Sequence, residues 1–521
     1  MKIKVLHKYL TFPINTMKAS KKVMFFDGGT LVYELNCNLD MLEPSFTAYV
    51  DVERFIGKEL EIEISPEMNV SVGAADKIGD DTLYREPLRP QIHFTVPNGW
   101  NNDPNGMIKY NGVYHMFYQY NPCSTLWGNM HWGHASSRDL IHWEDHGIAL
   151  FPDELGAMYS GSAIEDTKNL IGKNKNGKNA ILFYYTAAGR WGLLGSTGVM
   201  NTQCLAISTD GGMTLEKYEG NPIIDTITPH NRDPKVVYVE EIDAYIMALY
   251  FERDEYKLFI SHDLINWEIY FEFSLEGDNE CPDIYSILFE GKKHWVISGA
   301  HDRYVIGRFT DDGFVIDTAP KSLTYSSVAY AAQSFSGMDD GRAIKAIWDK
   351  LHIPAPNFSQ QMAIPTEMSL ERHGNELYLA AMPVREIEIL RKESKVITDF
   401  ALSDELLVDT GAAPLDISLE FPMNDSTVTL EFFGSELIVN TAENTVKYKN
   451  VTMPLSLNRH TAKLRVLIDQ GSLTVFADNG KFCTTQRNIC DFNLPYVALT
   501  SNKETQVERF ECHILDSIYN A

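Results

Sequence analysis

The sequence predicts an all-β protein built around a β-propeller, and three observations support this prediction. Most of the chain divides into segments of roughly four to eight residues that are rich in β-branched and aromatic residues and bounded by turn residues. Segments of helical period are scarce, with Glu386–Glu393 as one candidate. An eight-residue pattern recurs, as SRDLIHWE at Ser137–Glu144 and as SHDLINWE at Ser261–Glu268. Because each copy follows an apolar strand, the recurrence fits one four-stranded sheet per repeat, which is a propeller blade.

The repeated residues themselves have a structural interpretation. In each copy the aspartate can hydrogen-bond the backbone of the turn, and the tryptophan can pack between neighbouring blades. We therefore expect Asp139 and Asp263 to be structural and not catalytic.

Two further β-rich segments flank the repeat region. Residues 1–75 form a small N-terminal β domain, residues 76–90 a polar linker, residues 91–385 the propeller and residues 386–521 a C-terminal β-sandwich. Predicted strands of the flanking domains are Leu31–Leu35, Thr47–Val52, Leu60–Ile64, Val428–Phe432, Ala462–Ile468 and Ser472–Ala477. Predicted strands of the propeller are Val113–Tyr120, Ile181–Thr186, Tyr245–Phe251 and His294–Ser298.

Composition excludes some partners and favours others. The 521 residues carry a formal net charge of −26, which disfavours nucleic acid and is compatible with an uncharged sugar. The seven cysteines form no zinc-binding array, so we expect no metal and reduced, buried thiols. No signal peptide is evident in Met1–Lys22, and no apolar stretch is long enough to span a membrane. The expected location is cytoplasmic, although a chain trimmed of its leader would look the same.

Three carboxylates stand in unusual local contexts, far apart in sequence. Cleavage of a glycosidic bond needs two carboxyl groups, and a propeller can supply them from the inner strands of different blades. Asp103 lies in the run Trp100–Gly106, which predicts a tight turn that fixes it. Asp233 lies in an Arg-Asp-Pro tripeptide, where Arg232 is expected to keep it ionised. Glu280 precedes a cysteine and a proline, and partial burial is expected to raise its pKa. Taken singly, each is equally a turn or surface carboxylate.

Together and in this order, the three motifs resemble those of glycoside hydrolase family 32, which includes invertases, inulinases and levanases. The family's nucleophile motif, Trp-Met-Asn-Asp-Pro-Asn-Gly, is matched with Asn101 in place of methionine. Further matching blocks are His115–Pro122, Trp127–Ala135, Tyr159–Ser162, Tyr330–Phe335 and Ile468–Phe476. The resemblance covers residues 91–521, and the first domain is similar to the small β domain that precedes some bacterial levanase-like enzymes.

The resemblance implies a five-bladed propeller followed by a sandwich, and release of fructose from β-D-fructofuranosides such as sucrose, inulin or levan. It implies retention through a covalent fructosyl-enzyme, with Asp103 as nucleophile, Glu280 as acid/base and Asp233 stabilising the transition state. Retention requires a separation of about 5–5.5 Å between the nucleophile and the acid. The implied substrate-binding residues are Trp100, Asn102, Gln119, Trp127, Tyr159, Ser160, Arg232 and Trp348. No cofactor or metal is expected, since carboxylates and hydrogen bonds can meet the developing charge.

Three alternatives remain open at this point. A fructosyltransferase would share every catalytic residue and differ only in the acceptor. An arabinan- or xylan-type glycosidase would use three carboxylates in other local motifs. A non-catalytic fructan-binding protein would be expected to lack one of the three carboxylates, and all are present. The sequence also leaves open whether the N-terminal domain binds polymer, narrows the pocket, mediates a homodimer or only packs on the propeller.

Overall fold

The N-terminal domain consists of two small antiparallel sheets packed around one apolar core. A computed structural model describes residues 1–189, 200–310 and 313–520 of the chain. The strands of this domain are β1 (Lys2–Lys4), β2 (Tyr9–Ile14), β3 (Lys21–Asp27), β4 (Thr30–Cys37), β5 (Phe46–Asp51), β6 (Glu59–Ser65) and β7 (Gly73–Ala75). They pair in the orders β1-β6-β3-β4 and β5-β2-β7. Alternate residues of β3, Val23 and Phe25, are buried between the sheets, as the two-residue period of a half-buried strand requires.

Five successive sheets follow within the described residues. The first contains β8 (Gly99–Tyr110), β9 (Val113–Asn121), β10 (His131–Ser137) and β11 (Glu144–Leu150). The second contains β12 (Ala157–Glu165), β13 (Ile181–Ala188), β14 (Thr202–Ser208) and β15 (Glu216–Lys217). The third contains β16 (Arg232–Val239), β17 (Ala244–Glu252), β18 (Glu255–Ser261) and β19 (Glu268–Ser274). The fourth contains β20 (Asp283–Phe289), β21 (Lys292–Ser298), β22 (Arg303–Thr310), β23 (Gly313–Ile316) and β24 (Lys321–Ser322).

The fifth sheet returns the chain to the first. It contains β25 (Ala329–Ser334), β26 (Ala343–Asp349), β28 (Gln361–Met362), β29 (Thr366–His373) and β30 (Glu376–Pro383), while β27 (Phe358–Ser359) pairs with β8 of the first sheet. The leading strands β8, β12, β16, β20 and β25 contact one another in this order, and β25 also contacts β8. The first strands thus form a closed ring, and side chains at their beginnings meet in the centre.

The C-terminal domain is a sandwich of two six-stranded antiparallel sheets. Its strands are β31 (Arg391–Leu402), β32 (Leu406–Asp409), β33 (Leu415–Pro422), β34 (Thr427–Phe432), β35 (Ser435–Asn440), β36 (Thr445–Tyr448), β37 (Val451–Pro454), β38 (Thr461–Ile468), β39 (Ser472–Ala477), β40 (Phe482–Arg487), β41 (Tyr496–Ser501) and β42 (Thr505–Leu515). The two sheets have the orders β31-β42-β33-β38-β39-β40 and β32-β41-β34-β35-β36-β37. Their facing side chains form one core.

The predicted fold class is confirmed, because nearly all regular structure of the described residues is β-strand. Each predicted strand coincides with an observed one, and Ser472–Ala477 matches in both bounds. The helix expected over Glu386–Glu393 is wrong in type and extent. Residues Arg385–Leu390 form a 3₁₀ segment that buries Ile387 and Leu390, and the chain then enters β31. Ile387 and Leu390 are three residues apart, and a 3₁₀ segment places such residues on one face. The segment can therefore bury the apolar side chains that suggested an α-helix.

Two other findings concern cysteines and membranes. All seven cysteines are buried and free, as the sequence predicted. Across the described residues, no helix has the length and apolarity that crossing a membrane would take.

Asp469 joins the sandwich to the start of the propeller. Its buried carboxylate accepts backbone N–H bonds from Gln91 at 2.9 Å and Ile92 at 3.0 Å. It also lies 2.8 Å from Nδ1 of His93. Burial alone would raise the pKa of Asp469, but the hydrogen bonds from His93 and the backbone outweigh it and lower the pKa. The lowered pKa favours the charged form of Asp469, and its hydrogen bonds connect the sandwich to the start of the propeller.

We expect Asp469→Asn to lower the free energy of unfolding by about 3 kcal/mol at pH 7, because it removes one partner of a buried charged network. A carboxylate with a lowered pKa stabilises the fold above its unfolded pKa of about 4 and loses this contribution as the pH falls. Urea unfolding at pH 7 and pH 4 should show a smaller difference at pH 4. The exposed Asp404→Asn is the control, and an equal loss in both variants would contradict the assignment.

Candidate active site

One pocket at the centre of the ring gathers the carboxylates singled out in the sequence. It has a volume of about 400 Å³. Its lining is Asn102, Asp103, Gln119, Trp127, Tyr159, Met200, Asn201, Pro229, His230, Arg232, Asp233, Glu280, Tyr330 and Trp348. Of the predicted site residues, only Trp100 and Ser160 are outside this lining, and both contact residues within it. Asp103 belongs to β8, Asp233 to β16, and Glu280 precedes β20, so three different sheets supply the carboxyl groups.

Asp103 lies in a bulged strand and not in the tight turn that the sequence predicts. Strand β8 runs through the whole motif and pairs with β9, with register shifts between Asn102 and Pro104 and between Asn105 and Ile108. The first shift leaves Asp103 without a partner residue on β9, and Pro104, which has no N–H to donate, is tolerated beside this bulge. The prediction of a turn fails because pairing with β9 overrides the local preference of these residues.

A closed set of side-chain hydrogen bonds fixes the Asp103 carboxylate. Ser160 donates to its Oδ2 at 2.6 Å, and Nδ2 of Asn102 donates to its Oδ1 at 3.1 Å. Asn102 also donates to Gln119 at 2.7 Å, and Gln119 donates to Ser160 at 2.8 Å. Trp100 completes the set by donating to the Asn102 amide oxygen at 2.8 Å. Four of the predicted substrate-binding residues therefore also orient the predicted nucleophile.

Asp233, like Asp103, lies where a strand shifts register against its neighbour. Its φ is 66°, and β16 shifts register against β17 between Arg232 and Lys235. The backbone N–H of Cys281 donates to its Oδ2 at 3.1 Å. The Cys281 thiol lies 3.6 Å from an oxygen of both Asp103 and Asp233. One thiol thus bridges the two aspartates.

Glu280 is held by two donors on the other side of the pocket. Its φ of 53°, and the φ of 39° at Cys281, place both residues in the left-handed region, so the chain turns sharply there. Tyr330 donates its hydroxyl to Oε2 of Glu280 at 2.6 Å, and Arg232 donates from Nη2 to Oε1. Arg232 lies farther from Asp233, with Nε 3.6 Å from its Oδ2. The guanidinium therefore bonds mainly to Glu280.

The electrostatics differ from two expectations of the sequence. Burial raises the pKa of Asp103, and burial with the charges of Glu280 and Asp103 raises the pKa of Asp233 to about 7 despite Arg232. Burial would also raise the pKa of Glu280, but Arg232 and Tyr330 outweigh it and lower that pKa. The expectations that Arg232 keeps Asp233 ionised and that burial raises the pKa of Glu280 are therefore wrong for the free site. Burial therefore favours the protonated form of Asp233 below about pH 7, whereas Arg232 and Tyr330 favour the carboxylate form of Glu280.

Aromatic side chains form the walls of the pocket. Trp127 lies at the mouth with 47% of its surface exposed, and its ring meets that of Tyr159 edge-on at 6.1 Å. Trp348 lies between Trp100 at 6.0 Å and Tyr330 at 5.9 Å. Tyr330 has no role predicted from the sequence, although it is the first residue of the matching block Tyr330–Phe335. Met200, Asn201, Pro229 and His230 of the lining were also missed, since they come from loops without a motif.

The arrangement suits hydrolysis of a sugar bond. Two carboxyl groups flank a pocket of sugar size, a third lies beside them, and aromatic faces and hydrogen-bond donors surround them. Among the residues that the structure describes, no group of three metal-ligating side chains is arranged to hold an ion.

Comparison with known proteins gives a consistent result. The profile described as "Glycosyl hydrolases family 32 N-terminal domain" matches residues 93–381, and "Glycosyl hydrolases family 32 C terminal" matches residues 386–513. A levanase of Bacillus subtilis (strain 168) is 30% identical over 500 residues, covering 84% of this chain and 72% of the levanase. An invertase of Schizosaccharomyces pombe is 33% identical over 319 residues, and the match spans 55% of this chain and 54% of the invertase.

Solved structures show the same fold. The exo-inulinase from Aspergillus awamori superposes with a TM-score of 0.74 at 23% identity, covering 84% of this chain and 99% of the inulinase. The β-fructofuranosidase from Schwanniomyces occidentalis superposes with a TM-score of 0.73 at 24% identity, covering 85% of this chain and 100% of that protein. The superpositions cover almost all of each solved protein but only 84% and 85% of this chain.

We expect Tyr330→Phe to raise the pKa of Glu280, because it removes a donor that favours the carboxylate. The alkaline limb of the kcat/KM profile should then move to higher pH, and kcat at pH 6 should change several-fold. The profile of Tyr110→Phe is the matched control, since the Tyr110 hydroxyl donates to the Asn179 carbonyl outside the pocket. Superimposable limbs in wild type and Tyr330→Phe would refute the role given to this hydroxyl.

Asp233→Asn should stabilise the free protein at pH 8 by roughly 2–4 kcal/mol. A buried carboxyl whose pKa is raised to about 7 costs stability once the pH exceeds its unfolded value, and the full cost is reached above about pH 7. The gain should therefore vanish near pH 4. Chemical unfolding across this pH range measures it, and a destabilised variant at pH 8 would contradict the assigned direction.

Proposed function

The chain belongs to glycoside hydrolase family 32, and on this premise we propose that Asp103 is the nucleophile and Glu280 the acid/base of a retaining mechanism. The chain is a glycoside hydrolase that releases fructose from fructosides. The observation that carries the residue assignment is the meeting of three carboxyl groups from three parts of the ring in one pocket that admits a sugar, with one thiol in contact with both aspartates.

In the first step Asp103 attacks C2 of the terminal fructosyl unit while Glu280 gives its proton to the departing oxygen. The bond from C2 to the leaving group breaks, and an ester bond from C2 to Asp103 forms. Asp103 suits the attack because Ser160 and Asn102 hold its oxygens in place. Glu280 must be protonated for this step, so substrate binding has to weaken the contact from Arg232 that favours its carboxylate form.

In the second step Glu280, now a carboxylate, takes a proton from water, and the hydroxide attacks C2. Fructose leaves and Asp103 is regenerated, so that atoms and charge balance over the cycle. Asp233 stabilises the positive charge that develops on the ring, and it accepts hydrogen bonds from fructose hydroxyls. Arg232 and Tyr330 favour the carboxylate form of Glu280, which is the form that this step requires at its start.

The substrates that we propose are sucrose, inulin and levan, which share a terminal β-fructofuranosyl unit. Relatives of this chain carry the names levanase, invertase and extracellular exo-inulinase. These names are hydrolase names, so the fructosyltransferase alternative is not favoured.

Asp103→Asn should abolish release of fructose, and Glu280→Gln should lower kcat by about 10²–10⁴-fold, the usual contribution of a general acid/base. Both variants should still bind fructan, because neither change blocks the pocket. Activity assays on sucrose, inulin and levan, with product sizes determined, measure the loss.

Asp139→Asn provides the control, since Asp139 belongs to the sequence repeat and bonds its own turn. It should keep wild-type kcat. Unchanged hydrolysis in Asp103→Asn would refute the nucleophile assignment, and predominantly transfer products at high sucrose would overturn hydrolysis as the main reaction.

A further inference from the structure

The loop of residues 122–130 connects β9 to β10 and carries Trp127 at the mouth of the pocket; we call it the Trp127 loop. The opposite side of this loop lies against the N-terminal domain, at strand β4 and the residue that follows it. The N-terminal domain therefore borders the active site through one short segment. Its contacts with that segment are specific hydrogen bonds and one buried side chain.

Asn129 forms the central contact between the loop and β4. Its Oδ1 accepts the backbone N–H of Asn36 at 2.8 Å, and its Nδ2 donates to the backbone carbonyl of Asn36 at 2.8 Å. The same Nδ2 donates to Oδ1 of Asn121 at 3.0 Å, where the loop begins. Asn129 has a φ of 47°, a left-handed conformation that asparagine tolerates better than most residues. The Asn129 amide near the end of the loop thus bonds both to β4 of the N-terminal domain and to Asn121, which immediately precedes the loop.

Two further residues of the loop reach into the N-terminal domain. The buried side chain of Cys123 belongs to the apolar core of that domain, and its thiol contacts that of Cys37. Ser124 donates to the side-chain oxygen of Asn38 at 3.3 Å and accepts the backbone N–H of Leu126 at 3.2 Å. The conformation of the loop around Trp127 therefore depends on residues outside the propeller.

His131, the first residue after the loop, makes the last of these contacts. Its Nδ1 donates to the backbone carbonyl of Asn129, which leaves Nε2 to accept the hydroxyl of Tyr33 at 2.8 Å. Burial lowers the pKa of His131 to about 3, so the ring is neutral and can donate through Nδ1 while it accepts through Nε2. Tyr33 of β4 thus fixes the exit of the loop.

The end of the loop passes this restraint to the pocket wall. Met130 is buried and packs with Trp100 and Tyr159, which form or support the wall. Its carbonyl accepts the backbone N–H of Met158 at 2.9 Å, at the start of the second sheet. A displacement of the loop would therefore move Trp127 and loosen the packing behind Tyr159.

We infer that the N-terminal domain is a positioning element for substrate binding, acting through Asn129, Tyr33 and the Trp127 loop. The inference rests on the proposed function, because it requires Trp127 to contact the substrate. Asp103 and Asp233 are held by Asn102, Ser160 and Cys281, and Glu280 is held by Arg232 and Tyr330. Among the described residues, no hydrogen bond joins these five side chains to the N-terminal domain. Loss of the restraint should consequently raise KM and leave kcat nearly unchanged.

The experiment compares Asn129→Asp and Tyr33→Phe with the wild-type full-length protein. Aspartate keeps the acceptor for the Asn36 N–H and suits the left-handed backbone, but it cannot donate to the Asn36 carbonyl. Steady-state kinetics use whichever of sucrose, inulin and levan the wild type hydrolyses fastest. We expect KM to rise by about threefold to tenfold in each variant with kcat within about twofold, since tenfold corresponds to about 1.4 kcal/mol.

Leu60→Ala is the control for general weakening of the N-terminal domain. Leu60 is buried on β6, and β3 separates this strand from β4 in the sheet, so the cavity lies away from the Trp127 loop. It should lower the thermal midpoint at least as much as Asn129→Asp while KM stays at the wild-type value. A rise in KM in all three variants would mean that the contact acts only through stability, and would overturn the inference.

Trp127→Ala in the same series separates this inference from the proposed function. A raised KM in Trp127→Ala together with a wild-type KM in Asn129→Asp and Tyr33→Phe overturns the inference alone. A wild-type KM in Trp127→Ala overturns the inference and removes Trp127 from the proposed substrate contacts. Absence of hydrolysis of all three fructosides by the wild type would overturn the proposed function itself.

Discussion

The burial of three carboxyl groups at one point is the constraint on which the structure depends most. Asp103, Asp233 and Glu280 come from three sheets, and their mutual repulsion and loss of water both oppose the ionised forms. Single strands of a ring can bring them together only where the strand is locally distorted, as at the bulges of β8 and β16 and the left-handed residues before β20. Arg232 and Tyr330 then offset the burial of Glu280, the member that must alternate between two protonation states.

The same constraint separates the parts of the site. The carboxyl groups are fixed by contacts within the ring, such as the Ser160 hydroxyl and the Cys281 backbone N–H. In the aromatic wall, Trp348 is held within the ring by Gln360, whereas Trp127 is held, as we infer, through the N-terminal domain. The position of Trp127 and the geometry of the carboxyl groups therefore have different structural supports. Trp100, Asn102, Gln119 and Ser160, by contrast, belong to the predicted substrate-binding residues and also orient Asp103.

Much of the fold could be predicted from the sequence, because strand length and composition are local properties. Strand β39 was predicted in both bounds, and the three carboxylates were found by their local motifs and their order. The turn at Asp103 was predicted wrongly, since the pairing of β8 with β9 is not local. The pKa order was also predicted wrongly, because Tyr330 lies 50 residues from Glu280 in sequence and only the fold brings them together. For the N-terminal domain, sequence patterns indicate strands but give no partner for Asn129.

The insertion of Cys123 into the core of the N-terminal domain bears on how such an enzyme can be shortened or recombined. A fragment that begins at the propeller would expose this thiol to water and would leave the Asn129 amide without the backbone groups of Asn36. The N-terminal domain and the nine-residue loop are thus one structural unit, although they are far apart in the chain. A chimaera made with a shorter relative should exchange the two together, and homologues that lack the domain should carry a different loop at this place.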